Sequence, residues 1–305
     1  MELVPQGINI NFVKKMKIAM TASVIVIVIS VLSLMIHGGP NLGIDFAGGT
    51  LVQVQFDKKI PVNDVRDALK PVDMGKSIIQ QFGASGDNEF LIKTERSSSE
   101  LEDISTAIEK GLDAKFGADH FDVRRVEVVG PKVGAEMREK GFLAIIYAMA
   151  GILVYITWRF QLRYAIGAIL ALVHDVTITV GIFSLLGKEF TLPIIAALLT
   201  IIGYSLNDTI VVYDRMRENI RSVRRQPLSE IVNASLNQTL SRTLLTSLTT
   251  LVVVLALFVL GGAVIHDFTF ALLVGIIIGT YSSIFIASPT VLAWESIMPS
   301  KKKRK

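Results

Sequence analysis

Six apolar runs of bilayer length constrain this chain more than any other feature of its sequence. They cover roughly residues 16–36, 142–158, 164–186, 191–212, 244–260 and 268–294. At a helical rise of about 1.5 Å per residue, a run of about 17–25 residues crosses the hydrocarbon layer with modest tilt. The sequence therefore predicts an α-helical integral membrane protein with six transmembrane helices. The first run follows Lys14, Lys15 and Lys17 and so begins like a signal peptide. Its length, and the absence of a small-x-small cleavage site in Ile36-His37-Gly38-Gly39-Pro40, read instead as an uncleaved anchor.

Orientation follows from the basic clusters beside the runs. Lys14–Lys17 precede the first run, Arg159 and Arg163 follow the second, arginines from 215 to 225 follow the fourth, and residues 301–305 follow the sixth. All four clusters fall on one side, which the positive-inside rule makes the cytoplasm, so both termini of this multi-pass cell (inner) membrane protein are expected inside. Residues 38–140 hold 14 Lys/Arg against 18 Asp/Glu, and the remainder 17 against 9. The basic excess thus belongs to the membrane flanks, which points to topology and anionic lipid and away from nucleic acid. The expected organisation is a cytoplasmic N-terminus (1–15), a first span (16–36), an exported domain (37–141), a five-helix region (142–294) with a cytoplasmic basic segment (214–242), and a polybasic cytoplasmic tail (295–305). That basic segment reads either as a helix on the membrane surface or as a plain helical connector.

The exported segment has soluble-domain character. A strand-like run at 50–56 precedes a helix at 62–69 introduced by Pro61, and strand candidates at 77–82 and 89–94 flank a hairpin-like Gly83-Ala84-Ser85-Gly86-Asp87-Asn88. Residues Ser97–Ser99 offer a cap for a helix to about Phe116, with Leu101, Ile104, Ala107, Ile108 and Leu112 on one apolar face. A strand at 121–129 completes the order βαββαβ, that of a ferredoxin-like α+β domain.

Enzyme chemistry is not expected. Cysteine is absent, which removes disulfides, thiolate nucleophiles and cysteine metal clusters. Gly75-Lys76-Ser77 resembles the end of a phosphate loop, but Lys70 stands where that loop needs glycine. No HExxH occurs, His37, His120, His174 and His266 lack a metal-ligand spacing, and no cofactor is implied.

The informative residues are ionisable groups in or at the ends of spans: Asp208 with Asn207 in the fourth, His174 and Asp175 in the third, and Arg242 at the start of the fifth. A charge in lipid costs about 2.5–3.5 kcal/mol on insertion scales, so such groups turn inward and find partners. Thr200, Tyr204 and Asp208 share one helix face, and Arg242, Thr246 and Thr249 another. If these stripes faced each other they would form a polar lane. Two readings stay open, a fixed Asp208–Arg242 ion pair that specifies packing and a proton relay through the same residues. For His174 and Asp175 the alternatives are likewise a self-satisfied pair or membership in the relay. Gly275, Gly279 and Ser282 read as a close-packing stripe.

Gly43-Ile44-Asp45-Phe46-Ala47-Gly48-Gly49-Thr50 after the first span resembles the SecD/SecF family of protein-export membrane proteins. The resemblance continues in Val129-Gly130-Pro131-Lys132-Val133-Gly134, in Val173-His174-Asp175, in Gly203-Tyr204-Ser205-Leu206-Asn207-Asp208-Thr209 through Arg217-Glu218-Asn219, and in Thr239-Leu240-Ser241-Arg242-Thr243. One short exported domain with six spans is similar to the smaller type of chain in that family. The resemblance implies half of a resistance-nodulation-division type transmembrane fold, completed by six spans of SecD. It also implies association with the SecYEG channel, functionally with SecA, with a translocating preprotein and with a small auxiliary membrane subunit. The implied function is use of the proton motive force to assist polypeptide export, with Asp208 as the proton-linked carboxylate, Arg242 its electrostatic partner, and Gly43, Asp45, Gly48 and Gly49 in the motif joining span to domain. The alternative reading is half of a proton-coupled small-molecule exporter. Charged and neutral Asp208 need different surroundings, so protonation would favour different helix arrangements. Glycine-marked connections at 38–49 and 130–140 are expected to let the domain swing.

Overall fold

The computed structural model describes residues 9–83, 88–94, 101–223 and 226–297, with the backbone alone for 101–103. Helix α1 (Phe12–Ile36) starts at Asn11, whose side chain accepts from the Lys14 amide at 2.9 Å and satisfies one otherwise orphaned donor of the first turn. One short turn, α2 (Ile44–Ala47), leads into an α/β unit made of β1 (Gly49–Phe56), α3 (Val62–Leu69), β2 (Ile78–Phe82), β3 (Glu89–Thr94), α4 (Leu101–Phe116) and β4 (Phe121–Val129). The sheet order is β2-β3-β1-β4 with every pair antiparallel, the ferredoxin-like arrangement that the order of elements predicts.

Period-two alternation sends Val52, Val54 and Phe56 of β1 and Phe90 and Ile92 of β3 to the face covered by α3 and α4. Val65, Ala68 and Leu69 answer from α3, and Ile104, Ile108 and Leu112 from α4. Phe56 sits edge-on to Phe90 and Phe116, with centroids 5.6 and 5.3 Å away. The Ser97–Ser99 cap, residues 84–87 of the hairpin and the basic run 301–305 lie outside the described residues, although Phe82 pairs with Glu89 across the hairpin. Because this core takes no residue from the spans, residues 49–130 expressed alone should unfold in one cooperative thermal transition with a mixed α/β circular dichroism spectrum. A purely helical or disordered spectrum would remove the unit's independence.

The remaining spans are α5 (Pro131–Arg159), α6 (Leu162–Leu185), α7 (Leu192–Ser222), α8 (Leu228–Leu260), and α9 (Gly262–Ser282) continued by a π turn at Ser283–Ala287 into α10 (Ser288–Ile297). Their number and order match the apolar runs, but their lengths do not. Helix α5 begins directly after β4 with Pro131 in its first turn, where a missing N–H costs nothing, so residues 130–140 are helix and not a loose tether. Helices α7 and α8 likewise run on through the basic segment 214–242 as two arms of a hairpin, which replaces the surface-lying helix. The reason is a buried stripe that outlasts the apolar run: Tyr213 and Met216 on α7 and Ile231, Val232 and Leu236 on α8 pack with Phe12 and Met16 of α1. Asn237 accepts from the Ile10 amide and Asn233 from the Phe12 amide, both at 2.8 Å, and these bonds seat the start of α1 on α8. Helices α6, α7 and α9 form the inside of the bundle, while α1, α5 and α8 expose most of their apolar length.

Glycine sets the closest approaches. A Cβ added at Gly279 would lie 2.9 Å from the Ser205 Cβ, so α9 meets α7 at a distance that only glycine permits there. This agrees with the packing stripe expected at Gly275, Gly279 and Ser282, all three of which are buried.

Candidate functional site

Close packing of α6, α7, α8 and α9 brings together a set of hydroxyls around two carboxylates. Asp175 of α6 is completely buried. Its Oδ1 lies 2.9 Å from His174 Nδ1, and its Oδ2 accepts from Ser205 of α7 at 2.6 Å and Ser282 of α9 at 2.8 Å. Both oxygens are held, and three inner helices are tied through one side chain. That is the self-satisfied pair of the sequence reading, extended by two serines. The His174 ring stacks on Tyr281 with centroids 6.1 Å apart, and its Nε2 is buried without a partner.

Asp208 differs in kind. It is 7% exposed, its Oδ1 accepts from Thr243 of α8 at 2.5 Å, and its Oδ2 is buried with no hydrogen-bond partner. Thr209, next along α7, shares a hydrogen bond of 2.8 Å with Ser283 at the start of the π turn. The π turn is stabilised by Ser288, which donates to the Ser283 carbonyl at 2.9 Å. Such bulges often mark functional positions because they re-aim side chains within a helix.

The structure corrects two expectations about this region. Among the described residues no ion pair joins Asp208 to Arg242; Arg242 is exposed, one residue and so about 100° around α8 from Thr243, the residue that reaches the carboxylate. The stripe Arg242, Thr246 and Thr249 therefore turns away from Asp208, and both threonine hydroxyls bond back to their own helix. Thr200 is also exposed and bonds to the Ala196 carbonyl, while the Tyr204 hydroxyl is buried without a partner. The inward stripe of α8 is Thr239, Thr243 and Ser247, spaced by four, with Ser247 2.7 Å from Thr280. Its regular hydroxyl period was the signal available in the sequence. Asn207 is exposed on the same face of α7 as Thr200 and Gly203, beside the exposed Thr246 and Thr249 of α8. Polar groups in a spanning region that point out of a six-helix bundle need another surface against them.

The segment that follows α1 is equally specific. Gly43 donates to the Phe190 carbonyl at 2.9 Å and Phe190 donates back to Asn41 at 2.7 Å, which makes a parallel bridge to the loop between α6 and α7. Asp45 Oδ2 accepts from the Leu192 amide at 2.8 Å, so it caps the first turn of the helix that carries Asp208. Gly48 and Gly49 have φ of +79° and +121°, and a Cβ on Gly48 would lie 2.9 Å from Pro131 Cα where the chain leaves the domain. Lys93 of β3 completes the contact through an ion pair with Glu189 of the same loop. The expectation of a swinging glycine tether is thus replaced, at 38–49 as at 130–140, by a docked junction. Asp45 as a cap and Lys93–Glu189 were not legible in the sequence, since their partners are 147 and 96 residues away.

Comparison with known proteins bears on this arrangement. The family described as "Protein export membrane protein SecD/SecF, C-terminal" matches residues 109–296, and the "SecD/SecF GG Motif" matches residues 33–60. A protein translocase subunit SecF from Magnetococcus marinus is 53% identical over 96% of this chain and 94% of its own length. One of the same name from Vibrio alginolyticus is 44% identical over 97% and 94%. The crystal structure of SecDF, a translocon-associated membrane protein from Thermus thermophilus, superposes with a TM-score of 0.86 at 40% identity. That match covers 97% of this chain and 40% of the SecDF chain. A second SecDF structure, in a super-membrane-facing form, gives a TM-score of 0.71.

Proposed function

Since the chain belongs to the SecF branch of the SecD/SecF family, and so is a multi-pass accessory subunit of the Sec translocase, we propose that Asp208 is its proton-linked carboxylate. The observation that carries this is the asymmetry between the two acids. Asp175 has both oxygens occupied and serves packing, whereas Asp208 keeps one oxygen unpartnered in a nearly closed site. A proton arriving at Oδ2 would turn it from acceptor to donor, and the helices α7, α8 and the π turn would repack around the neutral acid. One proton crossing about 150–200 mV supplies on the order of 3–5 kcal/mol, enough to bias two arrangements by roughly a hundredfold or more. In this reading Asn207 and Arg242 stand at the exposed margin of the path, and His174 with Asp175 supports it from behind.

The partner is SecD. Its six spans would cover the exposed polar face of α7 and α8 and complete a resistance-nodulation-division type bundle. The arginine-rich end of the bundle, with both termini, faces the cytoplasm and the α/β domain faces outward, as the positive-inside rule requires. There the pair would assist the SecYEG channel and SecA by pulling or releasing the preprotein. The names of the relatives favour this over a small-molecule exporter and describe a non-catalytic role. The absence of cysteine makes the test direct. Asn207→Cys or Thr246→Cys should form disulfides with single cysteines in SecD spans, whereas Ile25→Cys, exposed on α1, should react only with lipid-phase reagents. Failure of every α7 and α8 cysteine to reach another chain would sink the pairing.

A further inference from the structure

At the arginine-rich end, where α5, α7 and α8 diverge, a cavity of about 710 Å³ is lined by Arg159, Arg215, Arg217, Arg221 and Arg242. Only two acids share its wall, and both are engaged: Asp214 lies 3.6 Å from Arg159, and Glu218 lies 2.6 Å from Arg215. Arg217 is held by the Arg159 carbonyl at 3.1 Å and stacks over Phe160 at 5.8 Å, so its position is fixed without its charge being cancelled. Among the described residues Arg221 and Arg242 have no carboxylate partner. Topology by itself asks only that positive charge lie near helix ends. It does not ask that five guanidiniums from three helices converge on one concavity with a surplus of three charges.

We propose that this cavity binds the phosphate of an anionic phospholipid headgroup. Guanidinium forks match phosphate oxygens in pairs, and fixed arginines lose less freedom on binding than free ones. A dissolved phosphate would satisfy the same donors. The lipid is favoured by what borders the cavity on its membrane side, where Tyr155 and Trp158 of α5 and Leu245 and Leu248 of α8 are exposed. Charge at the rim with aromatic and aliphatic surface beneath it is the sequence of environments that a headgroup, its glycerol and its acyl chains require. The site would lie beside the polar face that we assign to the partner, so the lipid would be held at the margin of that interface. Arg242 then has a role of its own, as a phosphate ligand.

The test uses the complete complex with SecD in detergent, read by native mass spectrometry after addition of phosphatidylglycerol, phosphatidylcholine or inorganic phosphate. The wild-type complex should retain phosphatidylglycerol in preference to phosphatidylcholine. Arg221→Gln and Arg242→Gln should each lower that retention by roughly fivefold, and the pair by more than tenfold. Arg221→Lys with Arg242→Lys should keep most of it. Arg221 is exposed near the end of α7 without a partner, so the single substitution leaves folding intact, and the wild-type preference needs no variant. Equal retention of the two lipids, displacement by millimolar inorganic phosphate bound in the lipid's place, or unchanged retention in the glutamine pair would each overturn the proposal. Cross-links showing acidic side chains of the partner seated among these arginines would do the same.

Discussion

Asp208→Asn should assemble with SecD at normal levels and lose the proton-gradient stimulation of polypeptide export. Asparagine offers an Oδ1 to receive the Thr243 hydroxyl, and its Nδ2 falls where the carboxylate oxygen has no partner. No ion pair is broken, because among the described residues Arg242 is not paired with this acid. The cost to the bundle should therefore stay within about 1 kcal/mol, against about 3–5 kcal/mol for removing one member of a buried pair. What is lost is the ability to take up and release a proton, and with it the roughly hundredfold bias that the gradient supplies. The measurement is late-stage export into inverted vesicles with and without a gradient, scaled to assembled complex; normal stimulation in a well-assembled variant would end the relay reading. Asp175→Ala should do the opposite. Leaving His174, Ser205 and Ser282 without their shared acceptor costs about 1–3 kcal/mol for each buried donor, so assembled protein should fall sharply.

The second large effect is expected at the junction between the domain and α7. Lys93→Glu or Glu189→Lys should each place like charges against each other in a half-buried site, whereas the two together restore the pair in reverse. Amide exchange at Gly43 and Phe190, whose bonds bridge the same two segments, should rise by about tenfold or more in either single variant and return in the double. Export stimulated by the gradient should follow the same pattern, since the loop that holds Glu189 leads directly into the helix that carries Asp208. Equal export in all four proteins would show that this contact plays no part in coupling.

Local signals in the sequence carried the architecture well. Six apolar runs became six spans, and the strand and helix patterns of residues 50–129 became the expected sheet, because each depends on neighbours within a few residues. The site was legible only in its titratable members. Asp208 and Asp175 announced themselves by being acids in apolar runs, but their partners are serines and threonines, which are common in such helices for many reasons. Assigning Arg242 to Asp208 failed because charge complementarity was weighed without helix phase. One residue of phase separates Arg242 from Thr243, and the phase of α8 is set by its packing on α7 and α9. The glycine connections misled for a related reason. Glycine at positive φ is as compatible with a tight crossing as with freedom, and only Pro131, lying against Gly48, decides between them.

The direct passage from β4 into α5 makes the second span a lever. The helix runs 29 residues from Pro131 to Arg159, about 44 Å at the usual rise per residue, with the sheet fastened at one end and Arg159 at the other. A rigid rod of that length converts a small angle into a large arc. Tilting it by about 5° about its inner end carries the outer end through about 4 Å, close to the spacing between neighbouring strands of a sheet. The amplitude available to the domain is thus set by the length of a single helix, and a one-turn deletion in α5 would shorten the stroke in proportion.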